Sequence, residues 1–324
     1  MGQTTTPPRR GTARAVRLRR TVLFAVIVVV VAVGAAVVLG GTHSSHDNEA
    51  VASSASQPLD PTYFATGSCV AFPPTSGDRH ETVFLDAGHG GVDPGGVGVT
   101  QSGQSIDEAH ETLPVELDAM AILRSHGYRV VVSRTSDSTV IRPTAADLTQ
   151  GTFTLQGAHD DVAARDICAN DAGARVLVGI YYDAGGSPEN AGSITAYDAD
   201  RSFTAASQRL ATLVQTDVLA RMNAQGWQIP DDGVQTDDAL GSLDGNPSTG
   251  GLASEAAGYN HLLLLGPADP GYFTTPSTMP GAVIEPLYLT DPFEGSIAAS
   301  AKGQAVIAQG IATAVEQFLG SAQG

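Results

Sequence analysis

The sequence of 324 residues has no acidic residue in its first forty positions and few basic ones after them. Six of the 17 basic residues, Arg9, Arg10, Arg14, Arg17, Arg19 and Arg20, precede position 21. That leaves 11 bases against 34 acids in the remainder, a net charge of −23. A body of that sign repels phosphate backbones, which excludes nucleic acid as a partner. The plain consequence of the acid surplus is solubility. Charged residues make up only 16% of the chain against 42% hydrophobic, so a core of ordinary size is available. Several catalytic signatures are missing too. No G-x-S-x-G pentapeptide occurs, so a serine nucleophile on a strained elbow is excluded. "GHGGVDPGG" carries Gly88 and Gly90, but Asp93 stands where a dinucleotide loop needs its third glycine, and Pro94-Gly95 block an immediate helix. "HETLP" at 110–114 begins like a zincin helix, yet Pro114 takes the place of the second histidine. No internal repeat is visible.

What is present begins with a charge-free run, "VLFAVIVVVVAVGAAVVL", at residues 22–39. At 1.5 Å per residue it spans about 27 Å, close to a bilayer core. The arginines before it place residues 1–21 in the cytoplasm and everything after it outside. The expectation is a single-pass anchor over 22–41, with the domain extracytoplasmic at the cell membrane; a cleaved signal peptide is the rival, and "RRTVLF" hints at a twin-arginine signal. Either reading exports the rest. Residues 42–66, Ser-rich and aperiodic, read as a linker. The exported part carries the two cysteines, Cys69 and Cys168, and an oxidising compartment makes a disulfide between them the expectation.

Strand and helix patterns alternate from about residue 67. "TVFLD", "YRVVVSR", "RVLVGIYYD", "GSITAYD", "HLLLLG" and "GAVIEPLYL" read as strands. "ETLPVELDAMAILRSHG", "HDDVAARDICANDAG", "SFTAASQRLATLVQTDVLARMNAQG" and "AVIAQGIATAVEQFL" read as helices, with Pro114 near the first turn of the first. "IPDDGVQTDDALGSLDGNPSTGG" reads as an acidic loop, and Asp231, Asp232, Asp237 and Asp238 in it as a solvated face. The alternation predicts an α/β domain over 67–324, three layers with helices flanking a twisted, mostly parallel or mixed sheet. Ligands bind at the carboxyl ends of such strands. Three segments with chemical side chains fall there: Gly88–Gly96, Tyr181–Gly186 and Glu285. A histidine among glycines, His89, suits a metal site that draws ligands from separate segments.

"FLDAGHGGVDPGGVG" resembles the opening motif of the zinc-dependent N-acetylmuramoyl-L-alanine amidases of type 3, roughly D-P-G-H-G-G-x-D-P-G after a strand. The likeness runs in order through nearly all of residues 82–320. It implies His89 and Glu108, nineteen residues before Gly127, as zinc ligands. Arg165, Ala169 and Asn170 are similar to the family's "R…AN" helix. "PGAVIEPLYLTDPFE" is similar to its late segment, which makes Glu285 the catalytic acid-base. The resemblance further implies one zinc ion, peptidoglycan or muropeptides as substrate, and hydrolysis of the amide between N-acetylmuramic acid and L-alanine.

The pattern breaks at the third ligand. The family's "S-I-H-x-N-A" corresponds to "GIYYDAG" at 179–185, with Tyr181 in the histidine position and Asp183 in the asparagine position. Asp183 as ligand, Tyr181 as phenolate, or a histidine from elsewhere (His110, His126, His159 or His261) are the replacements open to the sequence. The alternative to an enzyme is a catalytically inactive peptidoglycan-binding or regulatory module with the same fold, in which Glu285 pairs with an arginine such as Arg165.

Overall fold

Runs of valine, isoleucine and leucine with no polar interruption form the centre of the molecule, because strands covered on both faces have no solvent side to mark. A computed structural model describes residues 56–60, 62–239 and 258–320. The expected cytoplasmic tail, the 22–41 span and the linker up to residue 55 lie outside the described residues. Among the described residues no helix is long and apolar enough to cross a membrane.

The strands are β1 (Gln57–Pro58), β2 (Ser68–Phe72), β3 (Thr82–Ala87), β4 (Val97–Val99), β5 (Ser105–Asp107), β6 (Arg129–Arg134), β7 (Leu148–Thr149), β8 (Thr152–Phe153), β9 (Val176–Ile180), β10 (Ser193–Tyr197), β11 (Asp231–Thr236) and β12 (Gly281–Glu285). Eight of them form one sheet in the order β1-β2-β6-β3-β9-β12-β10-β11. β6, β3, β9 and β12 run parallel, so their carboxyl ends share one end of the sheet. β2 is antiparallel to β6, and β10 is antiparallel to β12. β11 is parallel to β10, so it begins at the end where the central strands finish and finishes at the other. The sheet is therefore mixed.

The helices are α1 (Glu108–Ser125), α2 (Leu155–Asp171), α3 (Thr204–Asn223), α4 (Pro292–Ala298) and α5 (Ala301–Gly320). Side chains alternate across each strand. Val176, Val178 and Ile180 of β9 enter one apolar cluster with α1, α3 and α5, while Leu177 enters the other with α2. These are the three layers. The Cys69–Cys168 disulfide forms, tying β2 to α2 across 99 residues of sequence.

Four local readings change. "HLLLLG" is a turn: the N–H groups of Leu265 and Gly266 donate to Leu262 O at 3.0 and 2.8 Å, and Arg201 takes the carbonyls of Leu265 and Gly266. Its leucines are buried all the same, so hydrophobicity signalled burial and not extension. Part of the expected acidic loop, Asp231–Thr236, is instead the edge strand β11. α1 starts earlier than its apolar periodicity, because Asp107 caps it by accepting from His110 N at 3.2 Å, and Pro114 therefore lies in the second turn. Gln57–Pro58, within the stretch read as linker, pair with Val70 and Ala71.

Candidate active site

β3 ends at Ala87, and the chain turns at Gly88 onto the carboxyl end of β9, where Gly88 N donates to Ile180 O at 2.9 Å. A Cβ at Gly88 would lie 2.4 Å from the Tyr181 ring, so only glycine lets the backbone pass. His89 follows with φ of +62°, a left-handed conformation that costs a non-glycine residue roughly 1–2 kcal/mol. Its surroundings hold it there. Arg165 Nη2 donates to His89 O at 3.0 Å, and Arg134 Nη2 to Gly88 O at 3.1 Å.

The imidazole is fully buried between two carboxylates. His89 Nε2 lies 2.8 Å from Glu108 Oε1, and Nδ1 lies 3.2 Å from Asp93 Oδ2. Burial alone would lower the imidazole pKa, but Glu108 and then Asp93 outweigh it and hold it at about 10. Glu108, the first residue of α1, is itself fixed: Oε1 accepts from Tyr182 N and Oε2 from Gly96 N, both at 2.9 Å. An imidazole backed by one carboxylate and facing another is the arrangement in which metal-binding histidines are found.

Beside this pair, Tyr181 turns to the α2 face. Its hydroxyl donates to Asp86 Oδ2 at 3.1 Å, and Asp86 is paired with Arg165. Burial and the Asp86 charge push the phenol pKa well up, which opposes a phenolate. Asp183, beyond the end of β9, is held by the Tyr288 hydroxyl; burial raises its pKa, and the carboxylates of Glu108 and Asp232 add to the rise. Glu285 ends β12 opposite Ile194 of β10, and its charge reaches Tyr288 together with those of Asp183 and Asp232. Glu294 on α4 anchors the same corner by accepting from Tyr288 N at 2.7 Å and Gly192 N at 3.1 Å. His89, Glu108, Asp183 and Glu285 thus share the carboxyl end of the sheet. Arg165 is taken up by Asp86 and Asp161. That answers the suggested pairing of Arg165 with Glu285.

Glu116 of α1 supports the floor of this end. Its Oε1 accepts from Ala87 N, Ser133 N and Ser133 Oγ at 3.0, 3.0 and 3.1 Å. Burial pushes its pKa up to about 8, against the opposing pull of Arg134. The folded chain therefore keeps this proton where the unfolded chain has lost it, and stability falls as pH rises from about 4.5 to about 8. Glu116→Gln preserves the three acceptor contacts without the charge. Its stability relative to the parent chain is expected to rise by a few kcal/mol, as an order of magnitude, between pH 5 and pH 9 in urea denaturation. An equal difference at both pH values would show that the buried carboxyl does not titrate in this way.

The other histidines lie elsewhere. His110 is exposed beside Asp107, His126 meets Glu316, and His159 packs against Tyr272. His261 meets Asp198 and Asp237, and among the described residues this is the one group of three whose ligand atoms lie within 4.8 Å of one another. The expected solvated face is corrected here. Asp231, Asp232 and Asp238 are exposed, but Asp237 is 0% exposed, because β11 carries the chain along the edge of the sheet and delivers it to the far end.

Sequence reading named His89, Glu108 and Glu285, which the structure brings to one end of the sheet, but not Asp93, which contacts His89, nor Asp86, Glu116, Arg134 and Glu294, which support the surrounding segments. Asp93 alone had a local signal, four residues after His89 in "HGGVD". For a divalent ion, the donor chemistry of His89 and Glu108 fits, since both are buried, oriented from behind and aimed at each other. The Tyr181 hydroxyl is committed to Asp86, which leaves Asp183 as the remaining oxygen donor of "GIYYDAG".

The family described as N-acetylmuramoyl-L-alanine amidase matches residues 83–317. The amidase AmiC of Neisseria meningitidis serogroup B is 24% identical over 245 residues, covering 74% of this chain and 53% of that protein. The chain thus spans about half the length of the curated relative it matches. Among solved structures, the CwlD amidase from Clostridioides difficile, in complex with the GerS lipoprotein, has a TM-score of 0.53 at 19% identity. It covers 74% of this chain and 99% of its own. The amidase AmiC2 of Nostoc punctiforme has a TM-score of 0.50 at 21% identity, covering 75% and 99%. At these identities the two structures speak for the fold.

Proposed function

The chain belongs to the N-acetylmuramoyl-L-alanine amidase family, and from that premise we propose that it hydrolyses the amide joining N-acetylmuramic acid to L-alanine in peptidoglycan, with one zinc ion held by His89, Glu108 and Asp183. The observation that carries this reading is the buried His89–Glu108 contact of 2.8 Å, backed by Asp93, at the strand ends that Glu285 also reaches. When bound there, zinc supplies Lewis acidity toward the amide carbonyl and makes water acidic enough to attack near neutral pH. The chain's own residues do the rest. Asp93 fixes the ring orientation of His89 through Nδ1, so that Nε2 is presented to the ion. Glu285 accepts the proton of the attacking water and returns it to the alanine nitrogen as the C–N bond breaks, leaving a free amine and a carboxylate. In this proposal the domain works outside the cytoplasmic membrane, carried by the apolar segment 22–41.

Tyr181 favours the alternative, a non-catalytic muropeptide-binding module, because it fills the third-ligand position without offering a donor. One experiment separates the two. The full-length chain is purified, loaded with zinc and incubated with peptidoglycan, and released stem peptides are read by mass spectrometry. Peptides with a free N-terminal alanine are expected, and the His89→Ala chain is expected to release none and to hold one zinc fewer. A zinc-loaded chain that sediments with peptidoglycan but releases no peptide would replace the enzyme with the binding module.

A further inference from the structure

Asp198, Asp237 and His261 come from three separate segments: the end of β10, the residue after β11, and the start of the 261–266 turn. Because β10 is antiparallel to β12, this cluster sits at the end of the sheet opposite Glu285. It is not part of the His89 site. Asp198 is 1% exposed and Asp237 is 0% exposed.

Each carboxylate is fixed through one oxygen and presents the other. Asp198 Oδ1 accepts from Asp200 N at 2.6 Å, and Asp237 Oδ2 accepts from Leu262 N at 3.0 Å. The remaining oxygens face His261 Nδ1, at 2.9 Å from Asp198 Oδ2 and 3.5 Å from Asp237 Oδ1. Asp198 Oδ2, 2.9 Å from His261 Nδ1, has that imidazole as its one close polar neighbour among the described residues. Donors about 2.1 Å from one ion, at angles near 90–110°, stand roughly 3.0–3.5 Å apart, close to the two separations from His261 Nδ1, 2.9 and 3.5 Å. An imidazole with two carboxylate oxygens is a donor set suited to zinc and similar ions.

We propose that Asp198, Asp237 and His261 bind a second divalent ion of the zinc class, a structural site distinct from the His89–Glu108 pair. Such an ion joins the ends of β10 and β11 to the 261–266 turn. It thereby clamps both ends of the connection between Asp237 and His261. Nothing in it depends on the amidase reading.

The test is zinc stoichiometry and thermal unfolding of the full-length chain, with no activity measured. The His89→Ala chain is expected to keep about one zinc after dialysis and to show a Tm raised by zinc and lowered by chelator. Adding Asp198→Asn, which leaves Oδ1 for Asp200 N, is expected to abolish both the bound zinc and the zinc-dependent shift. His261→Gln in the same background serves as a second ligand variant and has the same expected outcome. Asp200→Asn, at an exposed carboxylate, is expected to change neither. Absence of zinc from the His89→Ala chain would overturn the proposal. So would zinc retained in both ligand variants.

Discussion

Replacing Glu285 by glutamine is expected to slow release of stem peptides by about 10²–10⁴-fold, the range that a positioned general base contributes. The residue ends the central parallel strands, its backbone is paired with Ile194, and its charge reaches the same Tyr288 that holds Asp183. Glutamine has the same shape but accepts no proton from water. It leaves Asp183 and Tyr288 in place, so zinc content should not change. Rates are compared by mass spectrometry of released peptides, with zinc measured on the same samples. A loss of rate within a few fold would transfer the base to another acid at this end, with Asp183 and Asp232 the nearest in charge to Tyr288. A loss of zinc would instead make Glu285 part of the metal site.

The second large effect is structural and centres on Arg165. Its guanidinium, wholly buried, pairs with Asp86 and Asp161 and donates to the carbonyls of Ala87 and His89. Tyr181 joins the same network through Asp86. Arg165→Met keeps the unbranched apolar stem of the side chain and removes the guanidinium, which leaves two buried carboxylates without their cation. Breaking a buried pair in this way costs roughly 3–5 kcal/mol, to be read from the midpoint of chemical denaturation. The His89 carbonyl also loses its donor, so weaker zinc retention at the His89 site should accompany the lost stability. A change under 1 kcal/mol would mean that water or rearranged neighbours replace the guanidinium.

His89, Glu108 and Glu285 were legible because their signals are local. A histidine among glycines after a strand, a glutamate opening a helix and a glutamate closing a strand can each be read within a dozen residues. Apart from Asp93 and Gly96, the groups that orient them come from far away in the chain. Arg165 is 76 residues from the His89 carbonyl it binds, and Tyr182 is 74 from Glu108. No local pattern marks such partners.

The sequence by itself determined the α/β class, the alternating strands and helices, the pairing of the two cysteines and the placing of His89, Glu108 and Glu285 at one end of the sheet. Uninterrupted apolar runs mark the central strands and helical spacings mark the helices, and that information is carried residue by residue. Only the tertiary structure decided the direction of the edge strands, the fate of "HLLLLG" and the use of Tyr181. Burial makes the same demand for apolar residues on a strand and on a turn, so hydrophobicity could not tell them apart. The acids of residues 231–238 show the same limit. Four strand residues, 233–236, lie between exposed Asp232 and buried Asp237, and which end of the sheet each acid reaches depends on β10 running against β12.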